Sequence, residues 1–159
     1  MRKQLKDLSN NDEIGASVGL ENDNDMFVWN VVFEGPADTL YEGGFFKAIL
    51  KFPQDYPNNP PEMRFVTKMW HPNIYADGKV CISILHPPGI DQYNTEETAD
   101  ERWRPILGVE GILLSVISML NDPNISSPAN IDAAVEFRDN PDSYKKKVKR
   151  LTIQSVESL

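Results

Sequence analysis

Met26 to Phe33 reads Met-Phe-Val-Trp-Asn-Val-Val-Phe, a run of β-branched and aromatic side chains that suits a pleated, half-buried surface better than a helix. A sheet must form around it. Gly35-Pro36 closes the run, and Tyr41-Glu42-Gly43-Gly44 leads into a further strand from Phe45 to Phe52, where Lys47 and Lys51 stand among apolar neighbours. Upstream, Ser17 to Leu20 followed by Asp23-Asn24-Asp25 reads as a strand and a turn. Three consecutive strands with short connections predict an antiparallel meander.

Tyr56-Pro57-Asn58-Asn59-Pro60-Pro61 cannot be helical, because proline lacks an N–H and restricts the residue before it. A rigid loop is expected there, then a short fourth strand from Glu62 to Thr67. No regular element is readable from there to about Leu107, and so long an irregular stretch in a compact domain is usually functional or disordered. Val109 to Leu120 is apolar nearly all round, as a helix buried on a sheet requires. Asp122-Pro123-Asn124 ends it. A helix from Asn130 to Phe137, with Asn130 as N-cap, and a last helix after Pro141, with Tyr144, Val148, Leu151 and Ser155 on one face, complete the reading. Residues 1 to about 10 form a short amphipathic helix whose beginning looks missing, with Leu5 and Leu8 on one face. The expected fold is α+β, a four-stranded meander with an N-terminal helix, a central helix on one sheet face and two C-terminal helices.

The 159 residues and 40 % hydrophobic content suit one domain, 1–159, with one core. No stretch reaches the roughly 18 apolar residues of a membrane span, and the start lacks an apolar signal core. A net charge of −8 argues against nucleic acid as the main partner and favours basic ones. A single cysteine cannot form an internal disulfide, so a reducing compartment, cytoplasmic or nuclear, is expected.

That cysteine, Cys81, lies inside the long irregular region, in Trp70-His71-Pro72-Asn73-Ile74-Tyr75-Ala76-Asp77-Gly78-Lys79-Val80-Cys81-Ile82-Ser83-Ile84-Leu85. A lone cysteine is often only a small buried hydrophobe. The loop setting favours exposure and a nucleophile instead. His71 can be its base or a brace for the loop, and the stiff Pro72 turn favours the brace. Asn73 has two readings of equal standing: a donor to an oxyanion on an acyl group at Cys81, or a tie for the loop backbone. No Arg or His immediately follows Cys81, so the thiol is expected to keep an ordinary pKa, which still suits thioester exchange governed by positioning. No metal site is read.

Trp70-His71-Pro72-Asn73, Cys81, the Tyr56-Pro57-x-x-Pro60-Pro61 loop, Trp103-x-Pro105 and Asp122-Pro123-Asn124 occur in an order that resembles the ubiquitin-conjugating enzymes and covers nearly the whole chain. The resemblance implies that Cys81 accepts ubiquitin as a thioester from an activating enzyme. A lysine of a protein substrate or of ubiquitin then attacks, usually through a RING-type ubiquitin ligase. No cofactor is implied; ATP is consumed upstream by the activating enzyme. Trp103 follows Cys81 by 22 residues, and the acidic insertion at about 88–101 resembles the subclass that includes the G-type enzymes, with Leu40-Tyr41-Glu42-Gly43-Gly44, Cys81-Ile82-Ser83-Ile84-Leu85-His86 and Ser127-Pro128-Ala129-Asn130 closest to that type.

The chain also departs from the family pattern. Ser127 stands where many relatives carry an acidic residue that orients the lysine, a duty that passes to Asp91 or another insertion carboxylate. Asn58 replaces an apolar ligase contact, Arg2, Lys3 and Lys6 are left as N-terminal partner contacts, and Pro105 and Ile106 form the second ligase loop. The alternatives are a carrier of another ubiquitin-like modifier, a cysteine hydrolase using His71, and an inert binding module, which Cys81 disfavours. Any membrane attachment would come through a partner.

Overall fold

In the computed structural model, which describes residues 1–9, 14–89 and 97–157, the aromatic run lies inside strand β2 (Asp25–Glu34). It is flanked by β1 (Ala16–Asn22), β3 (Phe45–Lys51) and β4 (Glu62–Phe65), all antiparallel in the order β1-β2-β3-β4. Alternation sets the faces. Trp29, Val31 and Phe33 pair with Leu50, Ala48 and Phe46 across β2 and β3, and Leu50 and Ala48 pair with Met63 and Phe65 of β4. All eight are buried. The residues between them, Asn30 and Val32 on β2 and Lys47 and Ile49 on β3, face the other way and are less covered.

Four helices accompany the sheet: α1 (Arg2–Ser9), α2 (Gly108–Asn121), α3 (Ile131–Asp139) and α4 (Pro141–Glu157). Val109, Ile112, Leu113, Val116, Met119 and Leu120 of α2 are buried in one core with the inward strand residues, where truncating a Leu or Ile costs about 2–5 kcal/mol. Asn130 caps α3 by accepting from the Ala133 N–H at 3.0 Å, and Tyr144, Val148, Leu151 and Ser155 are the buried stripe of α4. Among the lysines near the C-terminus, Lys147 lies over the Trp70 ring, 3.4 Å from its centroid.

The boundaries shift by a few residues from the sequence reading, β4 ending at Phe65 and α2 opening one residue earlier. One expectation needs a larger correction. The segment between β4 and α2 contains two 3₁₀ turns, Ser83–Leu85 and Pro105–Leu107, and two isolated bridges, Arg64 with Lys79 and Ile74 with Val80. Proline and glycine break the hydrophobic periodicity there, so turns this short leave no pattern to read. Among the described residues, no helix is long and apolar enough to cross a membrane.

Candidate active site

The loop before Cys81 is built from backbone hydrogen bonds. Residues 74–80 fold back on themselves through Tyr75 N–H to Lys79 O (2.9 Å) and Gly78 N–H to Tyr75 O (2.9 Å). They dock on β4 through Phe65 N–H to Gly78 O (2.8 Å) and Val80 N–H to Met63 O (3.0 Å). Gly78 is required, since its φ is +98° and a Cβ there would lie 2.2 Å from Phe65 O. Cys81 then donates its N–H to Asn73 O at 2.9 Å, so the thiol is anchored to the His71-Pro72-Asn73 turn.

His71 is fully buried. Its Nε2 lies 2.8 Å from Met119 O of α2, and its Nδ1 accepts the Asn73 N–H at 2.9 Å, which fixes Nε2 as the protonated nitrogen. Burial pushes its pKa down to about 4, against the opposing pull of the Met119 carbonyl. Both nitrogens are engaged in bracing the loop. Asn73 is also buried, and its side chain clamps one residue: Nδ2–H donates to Asn124 O (2.8 Å) and Oδ1 accepts from Asn124 N–H (2.9 Å). Ala129 and Asn130 donate to Pro72 O at 2.8 and 2.9 Å. The 122–130 segment and the cysteine loop are thus held as a unit.

On the other side of the sulfur stands a residue that the sequence marked only as part of a motif, with no chemical role. The 3₁₀ turn Ser83–Leu85 carries the chain back, and His86 Nε2 comes within 3.7 Å of Cys81 Sγ. His86 Nδ1 lies 2.9 Å from each carboxylate oxygen of Glu97, and Arg102 Nε donates to Glu97 Oε1 at 2.6 Å while its Nη1 donates to Pro87 O at 3.1 Å. The expectation of an ordinary thiol is corrected by this geometry. The His86 hydrogen bond, with a smaller contribution from Tyr75, holds the Cys81 pKa below the usual thiol value although burial and the Glu97 charge oppose it. The same bond to Cys81, helped by Glu97 and opposed by burial, raises His86. For Glu97, burial pushes the pKa up, but His86 and Arg102 together outweigh it and the carboxyl falls below its usual range. The signal in the sequence was a histidine five residues past the cysteine at the head of an acidic stretch; only a tight turn between them brings the two together.

Cys81, His86 and Glu97 border an open cavity of about 530 Å³, whose other walls include Asn73, Asp122 and Ser127. Ser127 is exposed there. Asp91 lies outside the described residues. Arg2, Lys3 and Lys6 are exposed on α1, Asn58 is exposed in the proline loop, and Ile106 is 88 % exposed beside Pro105; none of these six lines that cavity. Among the described residues no group of three or more His, Cys, Asp or Glu is placed to hold a metal ion.

Chemically, the arrangement provides a half-buried thiol with an imidazole to stabilise its thiolate, a carboxylate to orient that imidazole, and a cavity to receive an acyl group and its acceptor. Comparison with known proteins finds relatives that match nearly the whole chain. The family described as "Ubiquitin-conjugating enzyme" matches residues 1–152. "Ubiquitin-conjugating enzyme E2 15" of Schizosaccharomyces pombe is 58 % identical over 159 residues, covering 100 % of this chain and 95 % of that protein. "Ubiquitin-conjugating enzyme E2 7" of Arabidopsis thaliana is 57 % identical, covering 99 % of this chain and 94 % of its own length, and "Probable ubiquitin-conjugating enzyme E2 7" of Caenorhabditis elegans is 55 % identical, covering 99 % and 95 %.

Proposed function

The chain belongs to the ubiquitin-conjugating enzyme family, and on that footing we propose that Cys81 is the residue that carries ubiquitin. It is a transferase that receives ubiquitin from an activating enzyme and passes it on with ubiquitin ligases. In the proposed mechanism the Cys81 thiolate attacks the carbonyl carbon of the incoming ubiquitin thioester. A new C–S bond forms as the old one breaks, and the activating enzyme's sulfur leaves as thiolate. A lysine amine then attacks the same carbon, an amide bond forms, Cys81 leaves as thiolate and the amine proton passes to a base. Residues 1–159 act as one catalytic domain, with no cofactor of its own and ATP consumed upstream.

The observation that carries this reading is the Cys81-His86-Glu97 alignment at the cavity wall. An imidazolium beside the sulfur favours the thiolate in attack and, more strongly, in departure, because a thiol of lower pKa is a better leaving group. Asp100, Glu101 and Asp122 line the same cavity, where their charge attracts the ammonium of an incoming lysine. In this reading they serve where Ser127 supplies no charge, together with Asp91 of the insertion. Asn73 holds the wall of the site and His71 holds Asn73.

The acidic insertion supports a reading of the chain as a G-type enzyme within that family. Its partners are RING-type ligases docking on the Asn58 loop and on Pro105 and Ile106, and protein substrates presented by them, with Arg2, Lys3 and Lys6 contacting the activating enzyme or the ligase. Its setting is cytoplasmic or nuclear, with any membrane attachment supplied by a partner. The competing reading, a carrier of another ubiquitin-like modifier, is tested by charging with a mixture of modifiers and their activating enzymes. Ubiquitin is expected to form the adduct that a thiol reductant cleaves; preference for another modifier contradicts the reading.

A further inference from the structure

We infer that Gln4 is a positioning residue that sets the two proposed ligase loops against helix α1 through one atom, its amide oxygen. The inference rests on the docking role proposed above for the Asn58 and Ile106 loops. Helix α2 has no side-chain cap of its own, because its N-cap residue is Leu107, which offers no acceptor for the orphan N–H groups of the first turn. The acceptor arrives from the other end of the chain: Gln4 Oε1 takes the Val109 N–H at 2.8 Å. A backbone N–H can only donate, so the atom facing it is the oxygen and the amide orientation is fixed.

The same oxygen accepts the Tyr56 hydroxyl at 3.1 Å. Tyr56 opens the Tyr56-Pro57-Asn58 loop, where Pro57 and Asn58 are exposed. Its ring packs on Phe52 and on Trp103, with centroids 4.8 and 5.9 Å away, and Trp103 Nε1–H donates to Pro57 O at 2.8 Å. Val109 lies two residues past the turn that carries Ile106, and the intervening Gly108 has φ +62°. A Cβ on Gly108 would come to 3.0 Å from Gln4 Oε1, so glycine provides both the left-handed backbone and the room. One acceptor therefore joins α1, the proline loop and the start of α2. The two exposed tips, Asn58 and Ile106, are set relative to each other by that junction, and a rigid two-point surface binds a partner with less ordering cost than two independent loops.

The test uses the full chain. Gln4→Met keeps side-chain length and helix propensity but removes the acceptor; Gln4→Glu keeps an acceptor and suits the positive end of α2. Amide exchange of Val109 is expected to quicken roughly 10-fold in Gln4→Met and to stay slow in Gln4→Glu, as loss of one ordinary hydrogen bond implies. Discharge of the ubiquitin-charged protein is then titrated with an isolated RING domain chosen because it accelerates the wild type. Gln4→Met is expected to raise the half-saturating RING concentration about 5-fold, by a larger factor than it lowers the maximal rate, with Gln4→Glu restoring it. Ile106→Ala serves as the separate arm. If Ile106→Ala raises half-saturation and Gln4→Met does not, or if Gln4→Met lowers only the maximal rate, the inference on Gln4 is overturned while the docking surface stands. If Ile106→Ala leaves half-saturation unmoved, the docking surface itself is overturned, and Gln4 with it.

Discussion

His86 Nε2 stands 3.7 Å from Cys81 Sγ, with its other nitrogen held by both oxygens of Glu97. A proton on this imidazole is favoured from both sides, by a thiolate and by a carboxylate, and each partner's pKa falls in return. Removing the imidazole must therefore raise the thiol pKa. His86→Gln is expected to move the pH profile of iodoacetamide alkylation at Cys81 to higher pH. Charging with ubiquitin at pH 7 should slow by only about 2–5-fold, because a more basic thiolate is also a better nucleophile, with a Brønsted coefficient of about 0.4–0.5. Discharge to free lysine should slow by a larger factor. An unshifted alkylation profile would remove His86 from the mechanism.

The Glu97–Arg102 pair is tested by stability. Both side chains are about nine-tenths covered, at 10 % and 12 % exposure, and Arg102 also reaches Pro87 O, so it ties the two ends of the insertion together. Removing one partner leaves the other charge poorly compensated. Glu97→Gln and Arg102→Gln should each cost about 2 kcal/mol in urea unfolding, and the double variant clearly less than the sum. Additive losses would mean that the two charges do not interact.

The only two histidines of the chain should titrate in opposite directions. NMR of the ring protons is expected to place His71 at about 4 and His86 above the ordinary imidazole value. For stability, His71 is protonated in the unfolded chain below about 6.5 while the folded chain stays neutral down to about 4. Folding is therefore fully favoured above pH 6.5 and loses about 3 kcal/mol as pH falls through that window. His86 works the other way: its contribution is present at low pH and fades as pH rises through its raised pKa. A stability profile of His71→Gln with the wild-type slope between pH 4 and 6.5 would contradict this assignment.

Asn73 spends one amide hydrogen and its oxygen on the backbone of Asn124. Asn73→Ala strands both Asn124 groups, and a loss of about 2 kcal/mol is expected from denaturant unfolding, together with slower discharge as the 122–130 segment loosens. A residue that served only as an oxyanion donor would slow discharge and leave stability unchanged.

What could be read from the chain and what could not divides along physical lines. Trp29, Val31 and Phe33 announce a strand because a period of two in bulky residues is a local signal, and Val109 to Leu120 announces a buried helix for the same reason. Asn130 was legible as a cap because capping acts within one turn. His86, Glu97 and Arg102 were not legible as a set. Glu97 lies 11 residues beyond His86, across a segment with no periodicity, and its approach depends on Arg102 and on the Ser83–Leu85 turn. Gln4 and Val109, 105 residues apart, are beyond any local pattern. His71 was readable as a brace only through the stiffness of Pro72; its partner, Met119 O, required the fold.

The most direct test of the whole account is intact-mass analysis after incubation with activating enzyme, ATP and ubiquitin. The wild-type chain should gain one ubiquitin that a thiol reductant removes, Cys81→Ser should gain one that resists reductant but yields to alkali, and Cys81→Ala should gain none. An adduct on Cys81→Ala that a reductant cannot remove would show that ubiquitin is carried elsewhere and would contradict the assignment of Cys81.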